Sequence, residues 1–229
     1  MQALRIDPDA VVWSAPERER AGRPLLVLLH GYGSHEGDLF GLSPQLPLQP
    51  VIASVRAPLR AGSGYGWFPF SIDEVPAAGI ADDTASALLE WLDTTASSSV
   101  GLLGFSQGGA MALQLLRHAP TRFAYAVMLA GFAIDEGGER ADESGGAPSD
   151  TAARAAAALR DSHLAAASPP VFWGRGTADQ VIPAELIAHT QRWLPSHSTL
   201  TERVYEDLAH GVSAAELGDV SAFIRHQLA

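Results

Sequence analysis

Residues 100–111 read Val-Gly-Leu-Leu-Gly-Phe-Ser-Gln-Gly-Gly-Ala-Met, and this stretch decides the fold class that the sequence predicts. An apolar run ends in a glycine-flanked turn with one serine, and the start of a helix follows. This pattern is typical of a strand-to-helix elbow, in which a sharp turn exposes a serine hydroxyl at the end of a sheet. The G-x-S-x-G pattern is short enough to occur by chance, so its meaning depends on the rest of the chain.

Apolar runs alternate with helical segments along the chain, which predicts an α/β fold with a mostly parallel central sheet and helices on both faces. The run Leu25–Leu29 is continuously apolar, as expected for a strand that is covered on both faces. The other predicted strands are 51–57, 100–104, 125–129, 171–173 and 200–205, with 10–13 as an edge strand.

Helical spacing of apolar residues predicts helices over 82–95, 107–118, 183–194 and 214–228. Asp82 or Asp83 is expected to cap the first of them, and Pro183 suits the first turn of the third. Residues 134–168 are interpreted as an insertion within a single domain that spans residues 1–229. Its acidic, glycine-rich first half predicts a mobile loop, and its alanine-rich second half, 151–167, predicts a helix.

Composition excludes several function classes. The formal net charge of −11 opposes binding to nucleic acid and to anionic membrane surfaces. The chain has no cysteine and no lysine, which excludes disulfides, thiolate metal sites and a cysteine or lysine nucleophile. No apolar stretch reaches the roughly 18 residues that a membrane helix needs, and the first residues lack the apolar core of a secretory signal. We therefore expect a cytoplasmic location and no integral membrane association.

A catalytic Ser106 requires a base, because a serine hydroxyl is a weak nucleophile until its proton is removed. Of the eight histidines, His210 is the best placed, since it follows the last predicted strand and precedes the last helix. A loop there ends at the carboxyl edge of the sheet, where the elbow also opens. The alternative is an ordinary surface histidine. The other histidines away from the first loop are expected to be solvated, namely His118, His163, His189, His197 and His226.

Asp179 is the candidate for the acid that orients the imidazole, because it directly follows the predicted strand 171–173. The order serine, acid, histidine is the one used by doubly wound hydrolases. Asp207, Asp135 and Asp142 are the competing acids. Asp207 is close to His210 in sequence, but it would need a sharp reversal to reach the far ring nitrogen. A third interpretation is that Asp179 only caps the next helix.

Two backbone N–H groups are candidates for the oxyanion hole, which must stabilise the negative charge of a tetrahedral intermediate. One is the N–H of Gln107, at the head of the elbow helix. The other is the N–H of Tyr32, in the loop His-Gly-Tyr-Gly-Ser at 30–34, where glycines allow the backbone to approach the site. His30 is expected to form hydrogen bonds within this loop. Its spacing from His35 fits no usual zinc pattern, so no metal is expected.

An aromatic cluster at 65–70 follows the predicted strand 51–57. Such clusters usually pack in a core, but this one lies near the expected active edge. Trp67 and Phe68 are therefore candidates for lining an acyl or alcohol pocket, and Phe132 is a weaker candidate for the same wall.

Four segments of the chain together resemble the phospholipase/carboxylesterase family, which groups small bacterial carboxylesterases with acyl-protein thioesterases in the α/β-hydrolase fold. They are His-Gly-Tyr-Gly at 30–33, Gly-Phe-Ser-Gln-Gly-Gly-Ala at 104–110, Gly-Thr-Ala-Asp at 176–179 with Val181 and Pro183, and Ala-His-Gly at 209–211. The resemblance implies a cofactor-free serine esterase. It also implies a Ser106–Asp179–His210 triad and an oxyanion hole formed by the Tyr32 and Gln107 N–H groups.

Two departures from that family narrow the expectation. Tyr32 stands where thioesterase members usually have leucine followed by Gly-Asp, and here Ser34 follows Gly33. This favours the carboxylesterase branch, and thus a small-molecule ester as substrate. The segment 134–168 is longer than the usual connection and could be a flap or an inert loop. The alternatives are an acyl-thioesterase or lysophospholipase-type hydrolase, and a non-catalytic binding module with the hydrolase fold. The sequence does not determine the oligomeric state, and a homodimer is one alternative.

Overall fold

A seven-stranded sheet forms the centre of the computed structural model, which describes residues 4–70, 76, 79–135 and 148–229, with residues 148–153 by their backbone alone. The strand order is β1-β3-β2-β6-β7-β8-β9. Only the edge strand β1 is antiparallel to its neighbour, and the other pairs are parallel. The strands are β1 (Val12–Trp13), β2 (Leu25–Leu29), β3 (Val51–Val55), β6 (Val100–Phe105), β7 (Tyr125–Leu129), β8 (Pro170–Gly176) and β9 (Thr199–Tyr205).

Two short strands, β4 (Leu59–Ala61) and β5 (Gly64–Gly66), form a separate antiparallel hairpin that the sequence did not predict. The hairpin lies against the loop after β2, because Ser34 and Tyr65 form an isolated antiparallel bridge. It therefore supports the backbone at one side of the carboxyl edge of the sheet.

Helices cover both faces of the sheet, as the continuous apolar run of β2 predicted. The side chains of Leu25, Val27 and Leu29 belong to one core cluster, and those of Leu26 and Leu28 to the other. The first cluster includes residues of α2 (Asp82–Asp93), α3 (Gln107–His118), α4 (Pro148–Ala167) and α5 (Ala184–His197). The second includes residues of α1 (Glu36–Phe40) and α6 (Ala214–Gln227). The fold is thus a mixed α/β architecture with a mostly parallel central sheet.

The predicted helices are present, but the cap of α2 was predicted wrongly. Ala81 occupies the N-cap position and makes no side-chain cap bond. Asp82 instead accepts hydrogen bonds from Gln114 and His118, and it pairs with Arg160. These partners, the His118 ring first, lower the pKa of Asp82 to about 2. His118 was expected to be solvated, yet its side chain is only 16% exposed and bonds Asp82.

The helical half of the insertion is attached to the body of the protein through Arg117 of α3. The guanidinium of Arg117 pairs with Asp161 of α4, with Nε 2.7 Å from Oδ1. It also donates to the Ile134 carbonyl and lies 4.3 Å from the ring centre of Trp193. The Trp193 indole N–H donates to the other oxygen of Asp161. Helix α4 is therefore anchored to α3 and α5, while residues 136–147 of the predicted loop lie outside the described residues.

Within the described residues, no helix is long and apolar enough to cross a membrane.

We expect Asp161→Ala to lower the free energy of unfolding by about 3 kcal/mol, because it removes a carboxylate that pairs with the buried guanidinium of Arg117. The Arg117 side chain is 1% exposed and that of Asp161 is 22% exposed. Replacing both groups in Arg117→Met/Asp161→Leu should recover most of the loss. Urea denaturation of the variants measures the difference.

Asp93→Ala is the matched control, since it breaks an ion pair with Arg122 at the surface, where Asp93 is 67% exposed. That loss should stay below about 1 kcal/mol. Equal losses in Asp93→Ala and Asp161→Ala would contradict the anchoring role of Arg117.

Candidate active site

The turn between β6 and α3 holds Ser106 in a backbone conformation that serine rarely adopts, with φ 54° and ψ −119°. Glycines on both sides make this turn feasible. A Cβ on Gly104 would overlap the carbonyl of Gly108, and a Cβ on Gly108 would overlap the carbonyl of Leu29. The spacing of the G-x-S-x-G motif is therefore a packing requirement of the elbow. Ser106 stays 9% exposed at the carboxyl edge of the sheet.

Asp179 and His210 meet at the same edge, although 31 positions separate them in the sequence. Asp179 Oδ2 lies 2.8 Å from His210 Nδ1. Its other oxygen accepts the backbone N–H groups of Val181 and Ile182, and the Asp179 side chain is 3% exposed. A carboxylate that is held in this way accepts a hydrogen bond from the Nδ1–H group of His210, which leaves Nε2 as the basic nitrogen.

His210 lies next to the elbow, because its ring centre is 4.9 Å from that of Phe105, the residue before Ser106. Within the described part of the chain, neither Ser106 Oγ nor His210 Nε2 has a hydrogen-bond partner. Serine–histidine pairs of this kind often tighten only when a substrate binds. The structure thus brings Asp179 and His210 into contact and places His210 against the residue that precedes Ser106.

Of the competing acids, Asp207 has an exposed position, and its backbone N–H donates to the Thr177 hydroxyl at 2.9 Å. Asp135 follows the end of β7, and Asp142 lies outside the described residues. Asp179 is the acid that bonds His210.

The two predicted oxyanion donors lie close to the elbow. A Cβ on Gly31 would lie 3.6 Å from Ser106 Cβ, so the loop after β2 passes close to the serine. The backbone N–H groups of Tyr32 and Gln107 have no acceptor among the described residues. Two unpaired N–H groups next to a serine are what a developing oxyanion requires.

Trp67 and Phe68 pack in the core, contrary to the prediction that they line a pocket. Their side chains are 0% and 1% exposed and belong to the core. The sequence could not show this, because the amide of Gln107, forty residues away, holds the loop with both rings inward. The aromatic side chains that reach the surface here are instead Tyr32, in the loop after β2, which is 47% exposed, and the half-buried Phe70 of the cluster at 65–70.

Phe132 is the inner end of an aromatic row. The ring centres of Tyr32 and Phe70 are 6.0 Å apart, and those of Phe70 and Phe132 are 5.9 Å apart. The row runs from the surface at Tyr32 to Phe132, which is fully buried in the core and therefore, like Trp67 and Phe68, does not form the pocket wall that the sequence predicted. Phe70 was missed by the sequence analysis, although its place in the aromatic cluster was the available signal.

His30 forms the loop hydrogen bonds that the sequence predicted. Its Nε2 accepts the Ala57 backbone N–H at 3.1 Å, so Nδ1 carries the proton and donates to the Gly31 carbonyl at 2.8 Å. Burial lowers the pKa of His30, which keeps the ring neutral. In the described ranges, no group of three or more histidine and acidic side chains could hold a metal ion.

Glu216, six positions after His210, is a buried carboxyl group that the sequence analysis missed. It is 1% exposed, and neither carboxyl oxygen has a hydrogen-bond partner in the described part of the chain. The carboxyl group occupies the space beside Gly174 of β8, where a Cβ would overlap Oε1. Burial, with a smaller contribution from Asp219, raises the pKa of Glu216 to about 7.

Residues 80–227 match the model of a family described as Esterase. Three solved structures share the fold, each covering more than nine-tenths of both chains. A protein described as esterase PE8 is 22% identical over 98% of this chain and 99% of its own, with a TM-score of 0.70. A Bacillus cereus carboxylesterase is 19% identical over 95% and 93%, with a TM-score of 0.66. Acyl-protein thioesterase 2 of Zea mays is 22% identical over 96% and 99%, with a TM-score of 0.70. A comparison with curated proteins found no match.

We expect the folded state to lose stability as the pH rises through 7, because Glu216 binds its proton more tightly when folded. Its pKa is about 7 in the folded state against an ordinary value of 4.5, so the folded chain holds more protons between these values. The contribution of Glu216 to the free energy of unfolding should therefore be greatest below pH 4.5, fall by about 3 kcal/mol as the pH rises from 4.5 to 7, and be lost above pH 7. Urea denaturation of wild type and Glu216→Gln at several pH values measures this contribution.

Glu216→Gln should remove that pH dependence. Glu90→Gln alters an exposed glutamate and should leave it in place. If the two variants follow the same pH profile as the wild type, Glu216 is not the group that titrates.

Proposed function

This chain belongs to the Esterase family, and on that premise we propose that it is a serine carboxylesterase. It hydrolyses small to medium carboxylic esters through an acyl-enzyme on Ser106, with His210 as the base and Asp179 as the acid that orients it. The observation that carries the proposal is the 2.8 Å hydrogen bond between Asp179 and His210, beside the elbow that bears Ser106. No cofactor takes part in this reaction.

In the first half of the reaction, His210 Nε2 takes the proton of Ser106 as Oγ attacks the ester carbonyl carbon. The carbonyl oxygen becomes an oxyanion that accepts hydrogen bonds from the Tyr32 and Gln107 N–H groups. The intermediate then collapses, the bond from carbon to the alcohol oxygen breaks, and Nε2 returns the proton to the departing alcohol. The acyl group remains on Ser106.

In the second half, water replaces the alcohol. His210 Nε2 takes one proton from the water as its oxygen attacks the acyl carbon, and the same two N–H groups stabilise the second oxyanion. The bond to Ser106 Oγ breaks, and the serine recovers its proton from Nε2. Asp179 keeps the imidazole in the correct tautomer and stabilises its cationic form during both halves.

The surroundings of the site support an uncharged ester of modest size. Tyr32 and Phe70, whose rings are in contact, offer apolar surface to the solvent next to the loop that carries one oxyanion donor. A chain with a formal net charge of −11 also repels strongly anionic substrates. We assign the whole chain to one hydrolase domain, because its strands from β1 to β9 share one sheet apart from the β4–β5 hairpin.

Labelling with a fluorophosphonate tests the proposal directly. The reagent should add to the peptide that carries Ser106, which mass spectrometry detects as a mass shift. Ser106→Ala should lose both the label and the turnover of an aryl acetate, with its Tm unchanged within a few degrees. An unlabelled wild type would favour a non-catalytic binding module, and near-normal turnover by Ser106→Ala would exclude this nucleophile.

The wild-type rates with a short aryl ester and with a long-chain acyl thioester then separate a carboxylesterase from a thioesterase.

Asp179→Asn should lower kcat on the order of 10³- to 10⁴-fold, because an amide cannot hold the imidazole in its reactive tautomer. Asp207→Asn is the matched control, since it alters an exposed aspartate of the loop that leads to His210. That variant should keep a rate close to the wild type. The opposite order of the two rates would move the acid to Asp207.

A further inference from the structure

The two oxyanion donors lie on separate segments of the chain. Tyr32 belongs to the loop after β2, and Gln107 begins α3, 75 residues later. Stabilisation of an oxyanion requires both N–H groups to point at one position before the reaction begins. Something in the fold must therefore hold the loop and the helix in a constant relation.

The side chain of Gln107 forms one half of such a connection. Its Oε1 accepts the backbone N–H of Trp67 at 2.9 Å, and its Nε2 donates to the carbonyl of Phe68 at 2.7 Å. Because one backbone partner can only donate and the other can only accept, the orientation of the amide is determined. The residue that supplies one oxyanion donor thus also holds the aromatic segment.

The indole of Trp67 forms the other half. Its Nε1 donates to the carbonyl of His30 at 2.7 Å. The imidazole of His30 in turn donates to the Gly31 carbonyl at 2.8 Å. The Gly31 carbonyl and the Tyr32 N–H belong to one planar peptide unit, so fixing the direction of the first fixes that of the second.

We propose that Trp67 is a positioning residue of the esterase, connecting the loop of Tyr32 to the elbow helix so that both oxyanion donors stay aimed at one position. Its backbone bonds Gln107 and its ring bonds His30. Trp67 and His30 are 0% exposed, and Gln107 is 1% exposed, so water does not compete for these bonds. This inference rests on the proposed function, because the oxyanion hole has a purpose only if Ser106 is acylated.

Trp67→Phe tests the connection, because it keeps an aromatic ring but removes the donor to the His30 carbonyl. Trp173→Phe is a matched control. Trp173 is also 0% exposed, and its indole donates to the backbone carbonyl of Gly131 at 3.0 Å, outside the oxyanion loop. Both substitutions remove one buried indole hydrogen bond, so we expect a similar fall in Tm.

The two variants should differ in catalysis. We expect Trp67→Phe to lower kcat for an aryl acetate by about ten- to a hundredfold, because a misplaced donor loses part of its effect on the transition state. KM should change little. The inhibition constant of an aryl boronic acid, whose serine adduct resembles the tetrahedral intermediate, should rise by a similar factor. Trp173→Phe should keep the wild-type kcat and the wild-type boronic acid affinity.

An unchanged kcat in Trp67→Phe, or an equal fall in both tryptophan variants, would overturn the proposal. If Trp67→Phe does not fold, Gln107→Met carries the same expectation, because it removes the other half of the connection while keeping the backbone N–H. Labelling of the wild type by the fluorophosphonate distinguishes a failure of the positioning role of Trp67 from a failure of the proposed function. A labelled, active wild type with an unaffected Trp67→Phe refutes the positioning role alone, whereas an unlabelled wild type refutes the serine mechanism itself.

Discussion

The close backbone contact at the elbow is the constraint on which the rest of the site depends. Gly104 at the end of β6 faces Gly108 at the start of α3, and Gly108 faces the carbonyl of Leu29 on the next strand. These contacts leave Ser106 with a positive φ, a conformation that costs about 1–3 kcal/mol for a residue other than glycine. The hydrogen bond from the Ser106 N–H to the Leu129 carbonyl, at 2.8 Å, is one of the sheet contacts that maintain it.

A parallel sheet then gathers the remaining groups. Because the strands run in one direction, the loops after β2, β6, β8 and β9 emerge at a single edge, and each supplies a different part of the site. The sheet places near one edge four residues that are far apart in the sequence, namely Tyr32, Ser106, Asp179 and His210. The hydrogen-bonded pair of Asp179 and His210 is a consequence of neighbouring strands ending side by side.

Features that depend on short segments were predictable from the sequence. Helix α3 begins after the elbow and ends before Pro120, and its bounds follow from apolar spacing and the chemistry of proline. That Asp179 rather than Asp207 contacts His210 was also predictable, because only Asp179 closely follows a buried strand. The cap of α2 and the environment of His118 could not be predicted from the sequence. Asp82 takes its partners from α3 and α4, about thirty and eighty residues away.

By itself, the sequence determined the alternation of strands and helices, the elbow at Ser106 and the loops that could carry its partners. These follow from the period of apolar residues and from the conformations open to glycine and proline, which are local properties. Only the tertiary structure decided that Trp67 and Phe68 face the core, that Gln107 and His30 form hydrogen bonds with this segment, and that Glu216 is buried. Each of these depends on a hydrogen bond or a close approach between distant segments, and no local pattern specifies which distant group will be the neighbour.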